Sequence, residues 1–369
     1  MTKFKLYLKI IALIVSATVG AGMFALPFSL KESGWLIGLL YLIVLSGIII
    51  FAHSLYWRVL EKSGKGNQLL GLSKIHLGSW LHDAAFLAII GGLLLSLVVY
   101  LILGARFFAL IFPGLDPTYG ILIFWLISSL PLLFGLNRLM TLELLGAIFL
   151  VAIIVFIFAG SDEPLKIFSI PTSNWGNAFL PFGAILFSLA GWTAVDPALE
   201  FKKNNSGVNL RPMLILTGGT IASAILYVLF VSGIFGSATI ITQDAVSGLL
   251  GWQFWKIAML AVLGLFAIWT SYLPISLEIK NSFIGLGWGR GVSIALVLFA
   301  PLVLIAVGLR SFLAAVDLAG GLFLSMQYLF IFLVARKALA LIGIKKVLAE
   351  LAVLIFVLAA IYQIYYFVQ

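Results

Sequence analysis

Eleven apolar segments, each about long enough to cross a bilayer, follow one another with only short connections. They fall near 8–30, 35–58, 83–112, 118–136, 139–160, 177–199, 209–235, 252–278, 291–308, 311–335 and 348–367. A membrane helix needs about 20 apolar residues at 1.5 Å rise each. In hydrocarbon every backbone N–H and C=O must find its partner within the protein, which leaves helices as the answer for segments of this length. The expected fold class is an all-α membrane protein with eleven transmembrane helices. Hydrophobic residues are 63% of the chain and charged residues 9%, whereas a soluble domain is about a quarter charged. No soluble domain or long linker interrupts the series, so residues 1–369 read as one integral membrane domain. The longest connections, near 60–81, 161–176 and 236–251, have room for a short surface helix or a lid. The run after Lys9 lacks a convincing cleavage site and reads as a retained first span.

The formal charge of +9 has to be placed before it is interpreted. With a cytoplasmic N-terminus, the inner segments hold Lys3, Lys5, Lys9, Arg58, Lys62, Lys65, Lys74, Arg138, Lys202, Lys203, Arg211, Lys280, Arg290, Arg336, Lys337, Lys345 and Lys346. The outer loops hold Lys31, Lys166 and Arg310, with Arg106 and Lys256 near outer helix ends. This asymmetry is the one that the positive-inside rule expects. The charge is a topology signal rather than a nucleic-acid footprint, and eleven spans put the C-terminus outside. A multi-pass protein of the cell's inner (plasma) membrane is expected, with the lipid bilayer as its surroundings and no obligatory protein partner evident. The absence of cysteine excludes disulfides and thiolate metal sites.

Two spans are interrupted by residues that weaken helices. "SATVGAGMFALP", Ser16 to Pro27, places two glycines and a proline in the first span, where each glycine costs about 1 kcal/mol and a proline about 3. "FSLAGWTAVDPALEF", Phe187 to Phe201, does the same in the sixth, with Gly191 and Pro197. Spans one and six are equivalent if spans 1–5 and 6–10 are two repeats, and an odd repeat length inverts the second. Interrupted spans at matching places in two halves point to a transporter's binding site. A half-helix N-terminus offers N–H donors to a carboxylate, and carbonyls at the opposing end can hold an ammonium group or a cation. Small residues also let helices pack closely; the proline and the second break are independent of that need.

"TVGAGMFALP" closely resembles the first-helix motif of the amino acid/auxin permease family, which includes the bacterial aromatic and hydroxy amino acid permeases. "FSLAGWTAVDPALEF" resembles that family's sixth helix, and "AVDLAGG", Ala315 to Gly321, the start of its tenth. The resemblance implies the five-plus-five inverted-repeat fold shared with the sodium-coupled neurotransmitter transporters. Repeat one would cover about 8–160 and repeat two about 177–335, helices 1 and 6 would be discontinuous, and helix 11, about 348–367, peripheral. It further implies that Ala21 and Gly22, next to Gly20, present amides to a substrate carboxylate. Thr18 and the carbonyls of Phe187, Ser188 and Ala190 would receive the amino group. Gly191 and Trp192 would border the side-chain pocket, faced by Ser96 and Tyr100 of span three.

"AIWTS", Ala267 to Ser271 in span eight, is similar to the sodium-binding arrangement of the neurotransmitter-transporter relatives. There the ligands would be Ala267, Thr270 and Ser271 with the carbonyls of Ser16 and Val19, five oxygens suited to a monovalent hard cation. Serine and threonine in membrane helices also commonly bond the carbonyl one turn back. Proton coupling, the alternative, usually brings a lysine or another titratable group from span five. That span has no lysine, and Glu143 near its inner end is suited to a salt bridge with Arg138. Asp196, Glu200 and Glu278 lie near Lys202, Lys203 and Lys280, as an inner gate or as solvated helix ends. Asp317 fits either an outer gate with Arg106 or Arg310 or a cap-like role, and His53 an interfacial position.

The sequence thus points to a secondary active transporter of neutral, hydrophobic or aromatic, L-amino acids, with sodium-coupled symport favoured, no cofactor and alternating access. A channel would need a continuous polar pore, and the span centres are nearly all apolar. An enzyme would need a catalytic constellation; all three histidines lie outside the span centres and no carboxylates are paired for acid–base work.

Overall fold

The computed structural model describes residues 3–64, 68–134, 139–205, 208–249 and 251–368. The helices are α1 (Lys3–Thr18), α2 (Leu26–Ser33), α3 (Trp35–Ser63), α4 (Leu69–His76), α5 (Ser79–Ile111), α6 (Pro117–Phe134), α7 (Leu139–Ala159) and α8 (Leu180–Leu189). They continue as α9 (Val195–Asn204), α10 (Pro212–Ser237), α11 (Phe254–Gly285), α12 (Arg290–Ala306), α13 (Phe312–Asp317), α14 (Ser325–Leu339) and α15 (Gly343–Val368). No strand is present among the described residues.

Seven stretches are long and apolar enough to cross a membrane as they stand: α3, α5, α8 with α9, α10, α11, α13 through α14, and α15. An eighth is α1 with Ala21–Ser33, which meet at 52°. Pro117–Leu132, Leu145–Ala159 and Arg290–Ala306 are apolar but shorter. The three long connections carry the short elements for which they had room. These are α4 in the first, 3₁₀ turns at Pro164–Ser169 and Trp175–Asn177 in the second, and one at Val246–Gly248 in the third.

Nearly every side chain along the middle of α5 is buried, from Leu95 to Ala105. It lies against α11, α6 and the α13–α14 rod, while α7 covers the other flank of α11. α1 packs on α10 and α7, and α8 packs on α3 and on the Leu318–Leu324 stretch between α13 and α14. That stretch is a π-helical turn. α15 lies on α14 and on this turn, and exposes Leu351, Leu354, Leu358 and Ile361 on its other face. Exposed leucines and isoleucines on a rim helix are what a lipid-facing surface requires. Lys65, Arg138 and the side chain of Glu143 lie outside the described residues, and so does the expected Glu143–Arg138 pair.

Candidate functional site

The first break begins at Gly20. Val19 still donates its N–H to the Val15 carbonyl at 2.7 Å, and then Gly20 is extended, with φ −139° and ψ −152°. The chain resumes as a tight 3₁₀ turn over Ala21–Ala25 and runs on into α2. Pro27 sits in the first turn of α2, where the N–H it lacks has no helical partner to lose. The second break is shorter: Ala190 is extended, Gly191 follows, and Trp192–Ala194 form one 3₁₀ turn before α9. Ser188, expected in the broken stretch, is still helical. Its hydroxyl donates back to the Ala184 carbonyl at 2.7 Å, and the helix ends one residue later, at Leu189.

The breaks touch each other. A Cβ added at Gly22 would lie 2.8 Å from the Ser188 Cα, and one added at Gly191 would lie 2.4 Å from the Thr18 Oγ1. At Gly22 only glycine lets the two backbones approach this closely, whereas the neighbour at Gly191 is a side chain. Tyr227, on α10, ties the two together: its buried hydroxyl shares its one proton between the Thr18 carbonyl, at 2.9 Å, and the Ser188 carbonyl.

A cavity of about 460 Å³ reaches this junction. Of the expected substrate residues, Thr18, Gly20, Ala21, Gly22, Ser96, Tyr100, Phe187, Ala190 and Trp192 line it. Ser188 and Gly191 stand behind the wall, and the Ser188 carbonyl is engaged by Tyr227. The Tyr100 hydroxyl lies within reach of the Ala21 backbone and the Ser271 hydroxyl. The Ser96 hydroxyl is turned back to the Gly92 carbonyl at 2.9 Å. Gln327, which the sequence reading passed over, also lines the cavity. Its amide nitrogen donates to the Ala88 carbonyl at 3.0 Å, and its oxygen accepts from the Trp192 indole at 2.8 Å. Two fixed bonds therefore orient the Trp192 ring. A buried glutamine in a membrane span is a costly residue, and that cost was the available signal.

Of the expected sodium ligands, Ser16, Thr270 and Ser271 line the cavity, whereas Val19 and Ala267 do not. Both Thr270 and Ser271 hydroxyls donate to the Ala267 carbonyl, at 2.8 and 3.2 Å. That carbonyl is thus occupied, while each hydroxyl oxygen keeps lone pairs for a cation. The Ser16 hydroxyl donates to the Leu13 carbonyl at 3.1 Å.

The exposed lining residues are Pro197, Glu200 and Asn281, so the cavity opens at the end where α9 and α11 finish. The N-terminus lies at that end too: the Arg211 N–H, just past α9, donates to the Tyr7 hydroxyl at 2.7 Å. Glu278 accepts from Gln68 at 2.9 Å. Lys202 pairs with Glu61 at 3.0 Å, a partner absent from the expected gate. The far end is closed. Phe24 meets Phe107 and Phe230 edge-on, at 5.5 and 5.3 Å between centroids. Arg106 pairs with Asp244 at 3.5 Å rather than with Asp317, and Thr242 and Ser247 also hold the Asp244 carboxylate. His53, expected at the interface, is instead buried with its Nε2 3.0 Å from the Tyr328 hydroxyl, because α3 packs on α14.

The apolar helices make this a multi-pass membrane protein. No family model matches the chain, and no curated protein matches it either. Among solved structures it matches the crystal structure of MhsT in complex with L-phenylalanine, with TM-score 0.66 and 16% identity, over 96% of this chain and 98% of that one. At this identity the likeness shows the fold alone, and the resemblance to the permease family rests on its motifs.

Proposed function

We propose that the protein is a secondary active transporter of neutral amino acids, working by alternating access about the two helix breaks. The observation that carries this reading is the cavity of about 460 Å³, which reaches both breaks from one end while phenyl rings close the other. A channel would need a continuous polar path instead. MhsT, of the same fold, holds L-phenylalanine. In this chain the charged lining residues, Glu200 and Glu278, come from the α9 and α11 segments that lead to the mouth, and none comes from the breaks themselves. A charged substrate side chain would lie there unpaired, at a cost of several kcal/mol. Tyr100, Phe187, Trp192 and Leu324 instead offer an apolar, aromatic-lined wall to a hydrophobic or aromatic side chain.

In this reading the Ala21 and Gly22 amides, beside Gly20, take the substrate carboxylate, with Tyr100 and Ser96 flanking it. The ammonium group goes to Thr18 and the carbonyls of Phe187 and Ala190. The engagement of Ser188 by Tyr227 takes its carbonyl out of that set, and Gly191 serves by letting the breaks meet. Sodium is carried as a second substrate by Ser16, Thr270 and Ser271, with the Val19 and Ala267 carbonyls joining only if the helices re-form around it. One cation crossing about 100 mV gains roughly 2.3 kcal/mol, and a tenfold gradient adds about 1.4. Together these support accumulation of a few hundred-fold.

The same reading takes the three shorter apolar helices as spans, which makes eleven in one domain, with α15 peripheral. The packing supports two repeats of five. Span 1 on span 7 (α1 on α10) is matched by span 6 on span 2 (α8 on α3). Span 1 on span 5 (α1 on α7) is matched by span 6 on span 10 (α8 on the π-helical turn), and span 5 on span 8 by span 10 on span 3. The distribution of lysine and arginine puts the N-terminus in the cytoplasm, so the cavity is the inward-facing one and the C-terminus lies outside the plasma membrane. A stabilisation screen of the purified protein against amino acids, in sodium and in potassium, followed by uptake into liposomes, tests this. Accumulation of a neutral L-amino acid against its gradient is expected; passive conductance or a new chemical product would overturn the reading.

A further inference from the structure

Among the described residues, one buried acid has a carboxyl oxygen without a hydrogen-bond partner. Asp317, 7% exposed, ends α13 where the helix widens into the π-helical turn Leu318–Leu324. Such wide turns occur often at functional sites. The Oδ1 of Asp317 is closed off and makes no hydrogen bond. It lies against α8, where a Cβ added at Gly183 would be 3.1 Å away. One turn on, Gly320 abuts the Gly183 carbonyl itself, 2.0 Å from where its own Cβ would be. The sealed oxygen therefore faces the far-end half of the second broken span. The rest of the carboxyl lines a small cavity of about 50 Å³ with Asn177, Phe179, Tyr362 and Gln363. That is space for a few water molecules.

Among the described residues no cation balances this acid. Arg106, on the α5 helix that packs against α13, is held by Asp244 at 3.5 Å. Arg310, on the turn before α13, directs its Nε to the Ile305 carbonyl at 3.4 Å. Tyr100 of α5 turns into the central cavity, and His82 and Asp83 lie at the other end of that helix. α8, the Ala21–Ala25 turn and the π-helical turn carry no titratable group. α15 brings only the phenols of Tyr362 and Tyr366. An ionised carboxylate here loses most of its hydration and gains no counter-charge in return. A proton removes the charge and gives the open oxygen an O–H that can donate into the small cavity. A metal ion suits the site less, because the sealed oxygen is out of its reach.

We propose that Asp317 is a proton-binding site tied to closure of the far end. It is a neutral acid while α8 lies on the π-helical turn, and it ionises when α8 withdraws and uncovers the sealed oxygen to water. The proton site stands on this geometry alone; its link to closure rests on the alternating-access reading above.

Difference infrared spectroscopy of the purified protein in nanodiscs, between acidic and alkaline buffer, tests it without any substrate. With aspartate carrying ¹³C carboxyls, the carbonyl stretch of a protonated aspartic acid is read apart from glutamate. The wild type should show a band that fades on alkalinisation, and Asp317→Asn should lack it. A band undiminished in Asp317→Asn, or none in the wild type at either pH, overturns the proposal. If Asp317→Asn fails to fold, Asp317→Glu with unlabelled glutamate should move the band out of the labelled position. Melting temperature is a second readout. An acid kept neutral by the fold stabilises it in acid, and that stability is lost as the pH rises. The wild-type melting temperature should therefore fall toward alkaline pH more than that of Asp317→Asn. Stabilisation by sodium or potassium that vanishes in Asp317→Asn, with no protonated band, would make this a metal-cation site instead. Failure of amino acid uptake would move neither readout, so the two readings fail separately.

Discussion

The two interrupted spans are built from similar residues, yet they differ in how far they bend and in what holds them. At Gly20 the chain turns by 52°, whereas α8 and α9 stay within a single span. The first break carries five residues of tight turn after its extended glycine, the second only three after Gly191. Their contacts differ as well. The missing Cβ of Gly22 faces the backbone of Ser188, and that of Gly191 faces the hydroxyl of Thr18. A side chain can rotate aside, but a helix backbone cannot. The first break is therefore the rigid partner and the second the adaptable one, and substitutions at the two glycines should have unequal effects.

The largest effect is expected from Gly22→Val. Its Cβ would fall 2.8 Å from both the Cα and the Oγ of Ser188, which forces the breaks apart where the substrate carboxylate is to bind. Overpacking of this kind costs about 1–3 kcal/mol, so the protein should fold with a lowered melting temperature. Amino acid binding should be lost. Uptake by Gly22→Val at the wild-type rate would sink the proposed pose and with it the rigidity of the first break.

Tyr227→Phe comes next, because it removes a hydroxyl that reaches both breaks. The Thr18 and Ser188 carbonyls would then be buried without that donor, at about 1–3 kcal/mol in stability. Thermal melting reads the loss directly. A variant as stable as the wild type would show that water or backbone replaces the phenol, and that the breaks are held by packing alone.

Thr270→Ala sharpens the comparison from the side of α11, where the cation would sit against the first broken span. It removes one hydroxyl oxygen and leaves the substrate wall chemically unchanged, so the sodium requirement for binding should rise. Coupling between ion and substrate is reciprocal, typically about 1–3 kcal/mol or roughly 5- to 150-fold in affinity. Equal amino acid affinity in sodium and potassium, with dependence on external acid, would remove sodium and leave the fold in place.

Much of this was legible because glycine and proline are expensive in a membrane helix and so announce themselves. "TVGAGMFALP" located the first break, and hydropathy located the helices. The second break falls at Ala190–Gly191, inside the interrupted stretch, but starts two residues after Ser188, since the serine bond to Ala184 that accompanies a helical Ser188 is a detail of rotamer and not of composition. Tyr227 and Gln327 were missed for a different reason. Their partners, Thr18 and Ser188 for the one and Trp192 and Ala88 for the other, lie on distant helices. One polar residue in an apolar run does not say which helix it will meet. The same distance in sequence hid the pairing of Arg106 with Asp244, which displaced the expected pairing with Asp317.

The smallest effect is expected at the second break, from Gly191→Ala. The added methyl would lie 2.4 Å from the Thr18 Oγ1 and 3.8 Å from the His53 ring, with no backbone among these neighbours. Thr18 now donates to the Ile14 carbonyl at 2.7 Å, and a change of rotamer would give up that bond to make room. Losing one such bond costs about 0.5–1.5 kcal/mol, so Gly191→Ala should lower the melting temperature modestly and weaken amino acid binding by less than Gly22→Val does. Removing the obstacle should rescue it: Thr18→Ala in the Gly191→Ala background should be more stable than the sum of the two single changes, since the clash exists only when both side chains are present. No such rescue can be expected for Gly22→Val, where the obstacle is the chain itself. Strict additivity of Gly191→Ala and Thr18→Ala, or a loss of binding as deep as that of Gly22→Val, would show that the second break is as rigid as the first.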